Sequence, residues 1–137
     1  MQKQFVPLFQ EDLDEKDIIN LNPLVLSFIG DSVQTLYIRS KLGINSSAKT
    51  GKLHLLASKQ LNATSQSIAM RKILDSLTDK ELEIYKRARN SKTSSSAKNA
   101  SITDYHIASG FEAVIGYLYL TKNSERINEL MELGYQD

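Results

Sequence analysis

Cysteine and tryptophan are absent from this 137-residue chain, and proline occurs only at Pro7 and Pro23. Without thiols there is neither a disulfide nor a thiolate metal site, which fits a reducing compartment. Two separated histidines, His54 and His106, are too few for an ordinary zinc centre and read as helix-surface or packing residues. No run approaches the roughly 18 consecutive apolar residues of a membrane span. The first residues, MQKQFVPLFQEDLDEKD, also lack the apolar stretch of a signal peptide, so no membrane association is expected. There is no internal repeat, and no segment alternates with the period of two that marks strands. At 41% hydrophobic and 24% charged, the chain suits a single domain, residues 1–137, with one ordinary core.

The most telling absence is acid. Between Asp31 and Asp75 there is no Asp or Glu, while Arg39, Lys41, Lys49, Lys52, Lys59, Arg71 and Lys72 all occur there. Between Glu83 and Asp104 acid is again missing, and Lys86, Arg87, Arg89, Lys92 and Lys98 are present. Twelve of the 17 Lys and Arg therefore lie in acid-free sequence, although the net charge is only +1. Acid collects instead in Glu11, Asp12, Asp14, Glu15 and Asp17, a solvated lead-in over about residues 1–20. Asp31 and Glu112 stand apart, as single carboxylates in apolar or small-residue helices. Basic surface attracts phosphate, and embedded acids can hold a divalent cation against it.

The pattern predicts an all-helical domain. Asn22-Pro23 caps and starts a helix that runs to about Leu42 and stops at Gly43. A second helical stretch follows Ser46-Ser47 and reaches towards Leu74, with Gly51 in its first turns. Thr78-Asp-Lys-Glu81 is a capping box that opens a third helix, fading by Asn90. Residues 91–101, SKTSSSAKNAS, read as an exposed loop. Thr103 caps a helix to about Leu120, and Ser124 caps a last one that ends at Gly134.

Two of these helices carry the chemistry. On residues 24–42 a wheel puts Leu26, Ile29, Val33, Leu36 and Tyr37 on one apolar stripe, the expected core face. Leu24, Phe28 and Ile38 form a second stripe, with Asp31 in its middle, and this stripe is the candidate dimer interface. A carboxylate there either hydrogen-bonds a neighbouring backbone or coordinates a metal. On residues 104–121, Ile107, Phe111, Val114, Ile115 and Leu118 form the core stripe. The opposite face, Ala108, Ser109, Glu112, Ala113 and Gly116, is small enough to admit another helix backbone. Glu112 is either a surface or ion-paired group, or an acid that meets another helix's acid across a shared cation.

Phe28-Ile29-Gly30-Asp31-Ser32-Val33 resembles the signature helix of the ribonuclease III family, and Phe111-Glu112-Ala113-Val114-Ile115-Gly116 resembles its second acidic motif. Each hexamer alone is weak, but their order and their separation of about 80 residues match as well, and the resemblance spans roughly residues 20–135. Without a double-stranded-RNA-binding domain after it, the chain is similar to the family's short branch of catalytic domain alone. Arg87-Ala-Arg-Asn90 and Tyr117-Leu-Tyr-Leu120 also resemble that branch. The resemblance implies a bacterial, cytoplasmic, Mg²⁺-dependent homodimeric endonuclease that acts on double-stranded RNA. Its substrate would be the stem pairing the ends of precursor 23S ribosomal RNA, and its products would carry a 5′-phosphate and a 3′-hydroxyl.

Residue by residue, Asp31 and Glu112 match the family's motif acids and are the expected catalytic metal ligands. Three further acidic positions of the family pattern are Leu24, Ser27 and Ser109 here. Asp104 lies eight residues before Glu112, roughly 12 Å along a helix, too far to share one ion. Duplex RNA offers backbone and 2′-hydroxyls rather than base identity. Arg87, Arg89 and Lys92 are the first candidates for its phosphates, with loop 91–101 closing on the duplex; Lys49, Lys52 and Lys59 are the second. A ribosomal protein on the precursor could strengthen weak binding. Two other functions compete with this one: a non-catalytic RNA-binding assembly factor, consistent with the three missing acids but disfavoured by the retention of both Asp31 and Glu112, and a helical protein adaptor, disfavoured by the basic windows.

Overall fold

The helix over Ile102–Leu120 is buried on almost every side, so the rest of the chain must wrap it. The computed structural model describes Leu8, residues 11–91 and residues 101–136. Among the described residues there are α-helices and one 3-10 turn, and no strand. The order is α1 (Glu15–Ile19), α2 (Pro23–Asn45), α3 (Thr50–Leu61), α4 (Ala63–Ile73), the 3-10 turn Leu74–Ser76, α5 (Asp79–Ser91), α6 (Ile102–Leu120) and α7 (Ser124–Gly134). Helices α1, α2, α4, α5 and α7 all pack on α6. Its predicted stripe of Ile107, Phe111, Val114, Ile115 and Leu118 is fully in the core. Among the described residues no helix is long and apolar enough to cross a membrane.

Local chemistry sets the boundaries, with four departures from the sequence reading. Asn22 caps α2 as predicted, its Oδ1 accepting from the Leu24 amide at 2.9 Å, but α2 passes Gly43 and ends at Asn45. The second helical stretch is two helices. Asn62 breaks it with extended backbone and caps α4 by accepting from the Ser65 amide at 2.9 Å. Helix α6 is capped by Ser101 rather than Thr103, and α7 by Asn123 rather than Ser124. In each of these two, the side chain that caps lies just before the first helical residue, where its oxygen reaches an amide two or three residues on. The capping box of α5 is formed: Glu81 N donates to Thr78 Oγ1 at 3.1 Å, and Thr78 N donates to Glu81 Oε1 at 2.9 Å.

The acids of the described lead-in are exposed, as expected, but the segment is also anchored. Ile18 is buried, Tyr117 donates its hydroxyl proton to Glu15 at 2.6 Å, Lys80 donates to the same carboxylate, and Lys122 pairs with Asp12. These acids therefore secure the front of the chain to α5 and α6.

Of the core stripe predicted on α2, Leu26 is buried and Val33 and Tyr37 pack half-buried against the core, but the most deeply buried face is the neighbouring one. Ser27, Gly30, Gln34 and Ile38 point into the core, along with Leu26. Leu36, placed on the core stripe, is 58% exposed, and Ile38, placed at a dimer interface, is 2% exposed. The cause is a close crossing. A Cβ on Gly30 would lie 1.7 Å from Glu112 O, and one on Gly116 would lie 2.1 Å from Leu26 O. Only two glycines let α2 and α6 approach so near, so the face carrying Gly30 is the buried one, whatever its hydropathy.

Across the α5–α7 junction, Arg126 grips Glu81 through two bonds, Nε to Oε2 at 3.0 Å and Nη2 to Oε1 at 2.8 Å, and also donates to Ser76 O. Burial pushes the Glu81 carboxyl up, but the hydrogen bond from Arg126 and the Thr78 amide outweigh it and hold the group below its ordinary value. A depressed folded pKa contributes stability above the unfolded value of about 4.3, and the contribution is lost as pH falls through the folded value. Arg126→Met strands a buried carboxylate and is expected to cost about 3 kcal/mol at pH 7. The gap between variant and parent should close below about pH 4 as Glu81 takes up a proton. Thermal melts across pH 3–7 check this, and a gap independent of pH would refute it.

Candidate active site

The glycine crossing sets the site. Asp31 follows Gly30 on α2, and Glu112 lies one turn before Gly116 on α6, so the helix contact that joins the two glycines brings both acids to one place. Asp31 and Glu112 line a single cleft of about 520 Å³. Asp31 is exposed and Glu112 half-buried. Two acids separated by most of the chain therefore share one solvent-facing depression.

Leu24, Ser27 and Ser109, the three positions acidic in the family pattern, line the same cleft. Ser27 donates to Ser109 O at 2.7 Å, and the Ser109 hydroxyl donates to Ser27 Oγ at 3.3 Å. Where the family pattern has acids, this chain ties α2 to α6 with a hydroxyl pair. Among the described residues, no group of three or more His, Cys, Asp or Glu is placed to hold a metal ion. The cleft offers two carboxylates, which are oxygen donors of the kind a hard divalent cation takes while keeping several waters. Asp104 is engaged elsewhere, accepting from Ser67 Oγ at 2.7 Å and from Arg71 at 3.4 Å.

Sequence reasoning missed two glutamines. Gln66 of α4 lines the cleft, and its Nε2 donates to Gln34 Oε1 at 2.9 Å and to Glu112 Oε2 at 3.5 Å. Tyr135 also feels the site: burial, and then the charge of Glu112, raise its phenol well above the ordinary value. The Tyr135 hydroxyl donates to Gln60 O at 3.0 Å, and its ring stacks on Phe111.

The basic candidates separate. Arg87 donates to Ile19 O at 2.8 Å and so holds the end of α1, and Arg89 lies over the Tyr85 ring. Lys49, Lys52 and Lys59 are exposed on and just before α3. Lys92 and residues 92–100 of the expected loop lie outside the described residues. His54 is exposed; His106 is half-buried, its Nε2 without a hydrogen-bond partner among the described residues.

A helical domain whose central helix carries one acid of a two-acid cleft is the architecture of one class of nuclease domain, and the sequence model of the Ribonuclease III domain matches residues 24–123. This chain belongs to the ribonuclease III family, whose substrate class is RNA. Among its relatives, Mini-ribonuclease 3 of Clostridium tetani is 44% identical over 124 residues, covering 90% of this chain and 82% of the relative. Mini-ribonuclease 3 of Streptococcus pneumoniae is 42% identical over 117 residues, covering 84% of this chain and 91% of the relative. The X-ray crystal structure of a Fusobacterium nucleatum protein, 31% identical, superposes with a TM-score of 0.77, covering 85% of this chain and 93% of that one. The chain is thus similar to the short branch that its motifs resemble.

Proposed function

We propose that this chain is a Mg²⁺-dependent endoribonuclease that cleaves double-stranded RNA in the cytoplasm and leaves 5′-phosphate and 3′-hydroxyl ends. Its substrate is the stem that pairs the ends of precursor 23S ribosomal RNA, with a ribosomal protein on the precursor as an aid to binding. The rRNA stem and the product polarity follow from the family resemblance. The observation that carries the reading is the meeting of Asp31 and Glu112 in one cleft.

The residues fit a magnesium ion, since both acids present carboxylate oxygen and no softer donor is near. When bound, the ion lowers the pKa of a coordinated water and offsets charge on the scissile phosphate. Asp31, exposed at the mouth, meets the substrate side; Glu112, half-buried, holds the inner side. Ser27 and Ser109 fix the spacing of the two helices and hence of the two acids. Lys49, Lys52 and Lys59 supply phosphate attraction from a helix free of acid.

One such cleft cuts one strand, so a duplex requires two. An apolar cleft of about 440 Å³ lies on the exposed side of α2, lined by Leu8, Phe28, Val33 and Leu36 with residues from α7. Phe28 is 79% exposed and lines both this cleft and the acidic one. A second copy of this chain seated on it would set two acidic clefts side by side. Of the three interface candidates, Phe28 lines this apolar cleft, Leu24 lines only the acidic one, and Ile38 is buried in its own core. Phe28→Ser is expected to convert the dimer to a monomer on a sizing column at micromolar concentration while leaving the melting profile cooperative. A parent that already elutes as a monomer would overturn the dimer.

The activity is tested by incubating the purified protein with a duplex RNA containing the 23S stem, with Mg²⁺ or with EDTA. Cleavage that requires the metal and yields 5′-phosphate ends supports the reading. Binding without cleavage in Mg²⁺ would transfer the chain to the non-catalytic assembly factors, a role with which Leu24, Ser27 and Ser109 are consistent.

A further inference from the structure

We infer that Gln66 is a positioning residue that orients Glu112 for cation binding, and that Gln34 in turn orients Gln66. This inference rests on the proposed function and adds a residue to that site. Gln34 is 0% and Gln66 4% exposed, so two amides occupy core positions where apolar side chains would pack without penalty. They bond each other at 2.9 Å, and the Gln66 Nε2 that makes this bond also reaches Glu112 Oε2 at 3.5 Å. Gln34 Nε2 has no partner among the described residues. A core shaped for stability alone avoids a buried donor left unsatisfied. The same arrangement makes sense if Gln34 is there to present its oxygen to Gln66.

The chemistry of the amide suits the task. A Lys or Arg at residue 66 would neutralise Glu112 and compete with a cation for it. A neutral N–H donor fixes the plane of the carboxylate and leaves its charge available. Gln66 lines the acidic cleft from α4, and Glu112 and Asp31 enter it from α6 and α2, so three helices meet there. The asparagine cap at Asn62, one turn before Gln66, sets where α4 begins and thus where the amide points.

Gln66→Leu keeps the volume and removes the donor. Manganese binding is read without RNA, from the electron paramagnetic resonance signal of free Mn²⁺, and cleavage is read as a function of Mg²⁺ concentration. Loss of an outer partner of a metal ligand typically weakens metal affinity by about 10–100-fold. We expect Mn²⁺ affinity to fall about tenfold in Gln66→Leu, and the Mg²⁺ needed for half-maximal cleavage to rise by a similar factor. The KM for RNA at saturating Mg²⁺ should stay unchanged. Gln34→Leu/Gln66→Leu replaces both amides together and leaves no buried donor, so it should fold and show the same weakened Mn²⁺ binding. Parent-like Mn²⁺ affinity in either folded variant, or a parent that binds no Mn²⁺, overturns the inference. A parent that binds Mn²⁺ but fails to cleave duplex RNA overturns the proposed function instead, and leaves the role of Gln66 to be judged by the resonance data.

Discussion

Asp31→Asn and Glu112→Gln are each expected to reduce duplex RNA cleavage by about 10³-fold, roughly 4 kcal/mol of lost transition-state stabilisation. Each change keeps the side-chain shape and replaces one anionic oxygen with an amide nitrogen, which cannot hold a hard cation. Asp31 is exposed, so its loss should leave the melting temperature near that of the parent. Glu112 accepts from Gln66, so its loss also disturbs that bond, and a small stability change should accompany it. Single-turnover cleavage of an end-labelled duplex at saturating protein isolates the chemical step from binding. A variant of either acid that cuts within a few-fold of the parent rate would mean that the cleft is not where hydrolysis occurs.

Gly30→Ala should be the most damaging single methyl group in the molecule. The new Cβ would stand 1.7 Å from Glu112 O, 2.6 Å from Glu112 C and 2.8 Å from Gly116 N, all backbone atoms that no rotamer change can move. Overpacking that side chains can absorb costs about 1–3 kcal/mol. Here two helix axes must separate, so a loss above about 3 kcal/mol is expected, a large share of the roughly 5–15 kcal/mol of a typical domain. The melting temperature should fall by about 10 °C or more. Any folded fraction should also cleave poorly, because pushing α6 away from α2 moves Glu112 away from Asp31. Circular dichroism melts check the first effect and activity per folded molecule the second. A Gly30→Ala protein that melts within about 2 °C of the parent would refute the crossing geometry.

That crossing also explains what could and could not be read from the sequence. The all-helical class, the core stripe of α6 and the meeting of Asp31 and Glu112 in one cleft were legible, because they rest on periodicity and on two hexamers with few alternatives. The buried face of α2 was not. Hydropathy counts Leu36 towards the core and counts Gly30 and Gln34 against it, whereas close helix contact selects the smallest residue. The same contact left Phe28 and Leu36 open to an apolar cleft and took Ile38 inside. The break at Asn62 was hidden because asparagine inside a helical pattern costs little unless its side chain caps the next helix. Gln66 gave no signal of its own. Its role depends on Glu112, distant in sequence, and a polar residue in an amphipathic helix normally reads as surface. The partners of Glu15 and Asp12 were equally invisible, since Tyr117, Lys80 and Lys122 come from far along the chain.

The central claim is that Asp31 and Glu112 hold one divalent cation between them. Crystals of the protein soaked in Mn²⁺ and measured at the manganese absorption edge test it most directly. The account predicts an anomalous peak in the cleft at coordination distance, about 2.1 Å, from a carboxylate oxygen of each residue, and its loss in Asp31→Asn. A manganese ion bound elsewhere, or one held by Glu112 with Asp31 turned away, would contradict it.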